Sequence, residues 1–392
     1  MRGRVFLIVL DGVGVGDAPD ADAYGDSGSD SIGNTSRAVG GLELPTLAGL
    51  GLGALTRIQG VPPSTSPQAG FGRLAEVSAG KDSTTGHWEL CGLVTETPFP
   101  TYPDGFPPEV LQPFEAALGR RVLGNRAVSG TVILDELGDA HVQSGSPIVY
   151  TSADSVFQIA AHEKIVPVEQ LYAWCEIARA QLVGPHQVGR VIARPFEGSS
   201  GTYRRTPRRR DYAVTPPSPS LLDVLHAAGH RVVGIGKIED LFSGRGLSDV
   251  DHTTSNLAGM QSTARWAAEA PAGSLVFTNL NDFDTLWGHR NDPAGYGKGL
   301  AEFDAWLGMF LAMLRADDLL LVTSDHGNDP TTPSTDHSRE YVPLLAKLIG
   351  SDRGVALGDR HGFMDVASTT LEHLGRPERL GGNSFRAELE GR

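Results

Sequence analysis

From residue 220 onward the chain alternates short apolar runs with longer stretches of helical periodicity, and few folds accept that rhythm. Residues 220–228 form a helical pattern with Gly229 past its end, and 231–235 an apolar run. The helical pattern 254–270 precedes the apolar run 275–279. The long pattern 293–315, with Leu300, Phe303, Trp306, Leu307, Phe310, Leu311 and Leu314 on one face, precedes Leu319–Thr323. Residues 342–345 are a further short strand and 363–374 a helix. Runs this short, with no polar alternation, are strands buried on both faces, which requires helices on both sides of a mainly parallel sheet. The expected class is therefore α/β with a doubly wound sheet.

The N-terminal part supplies a matching strand, Val5–Leu10, which ends at Asp11. Gly12, Gly14 and Gly16 follow, but this is not a dinucleotide fingerprint. Its third glycine is misplaced, and Asp11 stands where the phosphate-binding turn should begin. Residues 17–45 read as loop and 45–55 as helix. The hydroxyl-rich run Lys81-Asp82-Ser83-Thr84-Thr85 leads into a second helix through Trp88, Leu90, Cys91 and Leu93.

At Pro98 the texture changes. Five prolines fall between 98 and 108, and a second proline-rich joint lies at 215–219. Between them lie mixed short strands (147–150, 188–196) and a helix (168–182). The simplest organisation is one core domain from 1–98 and 218–392, interrupted by a smaller inserted α/β domain, 99–217.

Bulk properties exclude several classes. A net charge of -14 disfavours nucleic acid or an anionic membrane as main partner. No apolar run is long enough to span a bilayer and no leader peptide is recognisable, so a cytoplasmic protein is expected. Cys91 and Cys175 are the only cysteines and fall in apolar helical patterns. They are expected in cores, not in a disulfide framework or a zinc-thiolate site.

Chemistry-bearing residues gather at predicted strand ends. Asp11 follows the first strand, Asp284 and His289 follow 275–279, and Asp325 and His326 follow Leu319–Thr323, with His337 on the next loop. Each alone could be a polar turn residue. In a parallel sheet, however, these ends meet along one edge, where ligands bind. Six carboxylate and imidazole groups at one edge suit two divalent ions, and the lack of thiolates favours Mn or Zn over Mg or Ca. Thr85 is a candidate phosphoryl carrier near a helix N-terminus; Thr85 or Thr84 as a mere N-cap is the competing reading. Arg194 and the arginine-rich run 204–210 could clamp a phosphate, although most of that run reads equally as a solvated face.

Taken together, Asp11, Lys81 to Glu89 with its Thr-Gly-His-Trp-Glu, Tyr150-Thr151-Ser152-Ala153-Asp154-Ser155, Asp282-Phe283-Asp284, Gly288-His289-Arg290, and Ser324-Asp325-His326-Gly327 with His337 resemble the bacterial phosphopentomutases of the alkaline phosphatase superfamily. The resemblance runs in order over essentially the whole chain and includes residues 190–196. It implies an alkaline-phosphatase-like core with the inserted domain as a cap for substrate. It also implies an isomerase acting on small sugar phosphates, interconverting ribose 1-phosphate (or 2-deoxyribose 1-phosphate) and the 5-phosphate through a phosphothreonine at Thr85 and a 1,5-bisphosphate. Two Mn²⁺ ions are implied, one on Asp11, Asp325 and His326, the other on Asp284, His289 and His337. Asp154, Arg194, Arg209 and Lys237 are the implied substrate contacts. Glucose 1,6-bisphosphate or ribose 1,5-bisphosphate is the implied activator, and a monomer is favoured. A metal-dependent phosphatase of the same superfamily is the alternative. The arginine run 203–212 is richer than the resemblance leads one to expect.

Overall fold

The computed structural model describes residues 3–152 and 154–391; Ala153 of the Tyr150–Ser155 motif lies outside them. The chain divides into two compact units, one of residues up to 97 together with those from 216 onward, the other of residues 98–215.

The first unit is built on eight strands in the order Asp249–Asp251, Val232–Ile235, Leu275–Leu280, Val5–Leu10, Leu319–Thr323, Val342–Leu348, Gly70–Ala75, Val355–His361. The first five are mutually parallel. Val342–Leu348 runs antiparallel to both of its neighbours, so the sheet is mixed rather than wholly parallel. Val5–Leu10 lies in the middle, and all six of its residues are buried. Phe6, Ile8 and Leu10 join a core with Tyr296, Leu300, Phe303, Leu307 and Phe310 of the helix Pro293–Leu311. On neighbouring Leu275–Leu280, Phe277 packs against His87 and Phe242, which come from the helices Ser83–Leu90 and Ile238–Phe242. Helices on both faces explain why these strands are unbroken apolar runs.

Three strands escape the pattern reading. Gly70–Ala75 carries two glycines, Val355–His361 is largely exposed and ends in Asp-Arg-His, and Asp249–Asp251 is three residues long. None is an apolar run, because two of them lie at sheet edges and the third abuts one. The helix expected over 45–55 stops at Leu50, where Gly51 adopts φ 113°. A Cβ there would lie 2.7 Å from the Phe71 side chain, so the chain turns where only glycine fits. At the far end of the central strands the buried Arg4 donates to Asp318 Oδ2 at 2.5 Å and Oδ1 at 3.1 Å.

The second unit has a sheet of Leu123–Ala127, Ile148–Thr151, Val156–His162, Arg190–Glu197 and Arg204–Arg205, with Arg210–Ala213 also pairing to Arg190–Glu197. Phe106, Phe114, Phe157, Trp174 and Cys175 lie in its main core. Cys91 is buried in the first unit, and burial pushes both thiols up in pKa.

Candidate active site

The register of the three central strands sets the level of the site. Val9 lies opposite both Asn279 and Thr323, so the chain leaves the sheet at one height in all three strands. Asp11 is the first residue beyond its strand, and Gly12 N–H donates to Asp325 Oδ1 at 3.1 Å. Asp284 sits in a π-helical turn, Phe283–Trp287, a rare local form that often marks functional sites. The indole of Trp287 anchors that turn against Gly295 and Gly299, where a Cβ would approach it to 2.3 Å. The loop bearing His326 and His337 closes on itself: Gly327 and Ser338 exchange backbone hydrogen bonds of 3.1 and 2.8 Å. The two imidazole rings consequently lie 4.1 Å apart.

These elements bring all six expected ligand side chains together. Asp11, Asp325 and His326 offer atoms within 4.8 Å of one another, as do Asp284, His326 and His337. His326 Nε2 stands 3.3 Å from Asp11 Oδ1 and 3.4 Å from Asp325 Oδ2. Asp284 Oδ1 stands 3.2 Å from His289 Nε2 and 3.3 Å from His337 Nε2. His326 thus borders both halves of the cluster, although the sequence reading attached it to one. All these residues are buried except His289, whose side chain is 30% exposed.

The donor set fits divalent cations. His289 Nδ1 lies 2.6 Å from Thr335 O and His326 Nδ1 lies 3.0 Å from Gly327 O, so each ring donates there and turns Nε2 inward. Both Nε2 atoms face carboxylate oxygens, an arrangement that only a proton or a cation between them makes favourable, and, against its burial, Asp325 and Asp11 push the His326 imidazole up in pKa. Asp325 Oδ2 is buried and accepts no hydrogen bond among the described residues. His87 Nδ1 lies 3.0 Å from it but is already 2.9 Å from Ser83 O. Burial opposes the charged form of Asp11, yet Lys237 and His326 outweigh it and hold its pKa well below the usual range. Asp284 is likewise depressed, against burial and Asp11, by His337 and Lys237. Lys237 Nζ is 2.9 Å from Asp11 Oδ2 and 3.7 Å from Asp284 Oδ2, so its ammonium lies among the carboxylates. Asn279 Nδ2 holds the same Asp11 oxygen at 2.9 Å.

The hydroxyl of Ser83 reaches this cluster. Ser83 Oγ lies 3.3 Å from Asp11 Oδ1 and 3.1 Å from His326 Nε2. Thr85 is fully buried, and its Oγ1 donates to Asp82 Oδ2 at 2.7 Å. Asp82 is the N-cap of helix Ser83–Leu90 and also accepts from the N–H groups of Thr84 and Thr85 at 3.0 and 3.2 Å. Thr85 therefore completes a cap, and the N–H groups expected to receive a phosphate there are already engaged. Asp82, rather than either threonine, is the cap itself. Ser83, Asn279 and His87 are site neighbours that the pattern reading did not single out.

In the second unit, Asp154, Arg194 and Arg209 lie on or beside strands Val156–His162, Arg190–Glu197 and Arg210–Ala213. Arg209 makes a two-pronged contact with Asp211, 2.6 Å on each prong, and Arg190 reaches Asp211 at 3.5 Å and Asp154 at 3.7 Å. Arg194 Nε donates to Gln158 Oε1 at 3.1 Å, and Arg205 reaches the Tyr150 hydroxyl at 3.4 Å. Burial, reinforced by the charges of Arg209 and Arg205, lowers the Arg194 guanidinium to about 10. A cationic group held against that trend marks a place suited to an anion. Arg204 and Arg208 instead pair with Glu197 and Glu163, as a solvated face would.

The fold and the site define a metalloenzyme: residues 3–378 match the model of the metalloenzyme superfamily. The chain is 54% identical over 387 residues to phosphopentomutase of Dictyoglomus turgidum, covering 99% of this chain and 98% of that one. It is 52% identical over 388 residues to phosphopentomutase of Herpetosiphon aurantiacus, covering 99% of each. The chain belongs to the phosphopentomutase family. The PH0037 protein of Pyrococcus horikoshii shares the fold, with a TM-score of 0.51 at 16% identity over 97% of this chain and 100% of that one. No helix among the described residues is long and apolar enough to cross a membrane.

Proposed function

We propose that this chain is a phosphopentomutase, an isomerase that interconverts ribose 1-phosphate, or its 2-deoxy counterpart, with the 5-phosphate. Identity above 50% over nearly the full length supports the reaction. The observation that carries the mechanism is the convergence of Asp11, Asp325 and His326, and of Asp284, His326 and His337, each set offering atoms within 4.8 Å of one another.

Asp11, Asp325 and His326 would hold one divalent cation, and Asp284, His289 and His337 a second, with Mn²⁺ the expected metal at both. Such ions, when bound, lower the pKa of a hydroxyl and neutralise charge on a transferring phosphoryl group. Thr85 carries the phosphoryl group; in the free enzyme its hydroxyl rests on Asp82 Oδ2 at 2.7 Å. With ribose 5-phosphate bound, the P–Oγ bond of phospho-Thr85 breaks as a bond from phosphorus to the sugar O1 forms, and the O1 proton ends on Thr85. The 1,5-bisphosphate then presents its other phosphate: the P–O5 bond breaks, P–Oγ re-forms, and O5 takes the proton. Lys237 sets a fixed positive charge beside Asp11 and Asp284 through both transfers. The second unit recognises the substrate, with Arg194 and Arg209 for the other phosphate and Asp154 for sugar hydroxyls. Glucose 1,6-bisphosphate or ribose 1,5-bisphosphate primes the dephosphorylated enzyme. The enzyme works on a free metabolite in the cytoplasm, as a monomer.

Intact mass and tryptic mapping after incubation with glucose 1,6-bisphosphate test the reading. One added phosphate on Thr85 is expected; phosphate on Ser83, whose Oγ lies 3.1 Å from His326 Nε2, overturns the assignment of Thr85. Release of inorganic phosphate from ribose 5-phosphate faster than its isomerisation would mark the protein as a phosphatase instead.

A further inference from the structure

We propose that Asn328 is a positioning residue that aims Asp284 for cation binding, a role that rests on the metal assignment above. Asn328 Nδ2 donates to Asp284 Oδ1 at 2.8 Å. That is the same oxygen that stands 3.2 Å from His289 Nε2 and 3.3 Å from His337 Nε2. One carboxylate oxygen is therefore held by a neutral amide while two imidazole Nε2 atoms converge on it. The amide cannot be turned over without cost, because its Oδ1 would then meet the oxygen of Asp284, acceptor against acceptor.

The surroundings are shaped around this side chain. Asn328 is 1% exposed and lies between two glycines. A Cβ at Gly288 would lie 2.4 Å from Asn328 Cγ, and one at Gly12 would lie 3.1 Å from Asn328 Cβ. The loops that follow two different strands thus both leave room for it. Its backbone is fixed as well: Asn328 N–H donates to Ser31 Oγ at 3.1 Å, and Ser31 Oγ donates to the buried Glu340 Oε1 at 2.7 Å. Asn328 Oδ1, by contrast, is buried with no hydrogen-bond partner among the described residues. An unpaired buried acceptor is costly, and its retention is explained if the other end of the amide has a task. Asp284 needs that support because it sits on a π-helical turn, where the ladder of backbone hydrogen bonds is irregular. Residues that orient a metal ligand in this way typically change affinity about 10–100-fold when removed.

The test is Mn²⁺ titration of the metal-stripped full-length protein, followed by calorimetry and by the electron paramagnetic resonance of free Mn²⁺. Wild type should bind two ions, and Asp284→Asn should identify the step that depends on Asp284. Asn328→Ala should weaken that same step about 10–100-fold and leave the other unchanged. Unchanged affinity at both steps overturns the proposal, and so does equal weakening of both, which would report general loosening of the fold. Should the alanine variant not fold, Asn328→Ser takes its place: its shorter side chain cannot span to Asp284, so the same selective weakening is expected. If wild type binds fewer than two ions, the metal reading itself falls and the role of Asn328 with it.

Discussion

Replacing Ser83 and Thr85 in turn by alanine should show which hydroxyl at one helix end carries the chemistry. Thr85→Ala removes a fully buried hydroxyl that donates 2.7 Å to the Asp82 carboxylate. A hydrogen bond to a charged group contributes about 1.5–3 kcal/mol, and the lost methyl adds roughly 0.8 kcal/mol. Asp82 keeps its two backbone donors, so its charge is not orphaned. The expected destabilisation is about 2–4 kcal/mol, or a fall of roughly 3–7 °C in Tm for a unit of this size. The folded variant, assayed well below its Tm, should neither take up phosphate from glucose 1,6-bisphosphate nor isomerise ribose 5-phosphate. Ser83→Ala removes a half-buried hydroxyl at the first helical position, where alanine is a good helix former. Its Tm should stay within about 2 °C of wild type. Its uptake of phosphate from glucose 1,6-bisphosphate should be retained. A coupled mutase assay alongside thermal melts decides the matter. A stable Thr85→Ala protein that turns over normally, or a Ser83→Ala protein that takes up no phosphate, would refute the reasoning.

The remaining predictions concern groups outside that helix. Burial pushes the Glu340 carboxyl up to about 8, against hydrogen bonds from Ser31 and Ser338. The folded state then binds more protons than the unfolded one between about pH 4.5 and 8, so stability falls as pH rises through that window. Glu340→Gln should flatten this slope, at most about 1.4 kcal/mol per pH unit, in urea melts run across it. Asp318→Ala leaves the buried Arg4 guanidinium without its carboxylate and should cost about 3–5 kcal/mol in the same melts; a loss under about 1 kcal/mol would show that solvent reaches the site. Arg194→Ala should raise KM for ribose 5-phosphate at least about tenfold, the loss of one charge-assisted contact, and lower kcat less. An unchanged KM would remove Arg194 from substrate binding.

Asp11, Asp325 and His326 were legible because each ends an apolar run whose burial on both faces makes the strand unmistakable. Asp284 and His289 were legible for a related reason, but the π-helical turn that carries Asp284 has no sequence signature in Phe283–Trp287. The cap of the helix bearing Thr85 was harder, since Thr84 and Thr85 are both acceptable N-cap types. Asp82, a better one immediately before the helix, is the cap and was the available clue. The direction of Val342–Leu348 was not legible at all: an apolar strand reads the same in either orientation, and only the path of the loop before it decides. Asn328 stayed hidden because its partner, Asp284, is 44 positions away.

The central position of Val5–Leu10 bears on how the protein is made. Its sheet partners begin at Leu275 and Leu319, so the strand is synthesised about 265 residues before its first neighbour. At roughly 5–20 residues per second, these six apolar residues wait on the order of 15–50 s with no strand to pair with. Residues 98–215, continuous in sequence and compact in themselves, are complete well before the wait ends. The nascent chain thus carries a finished second unit and an exposed hydrophobic strand at the same time. That strand is where a chaperone would bind, and where a slowed ribosome would favour aggregation.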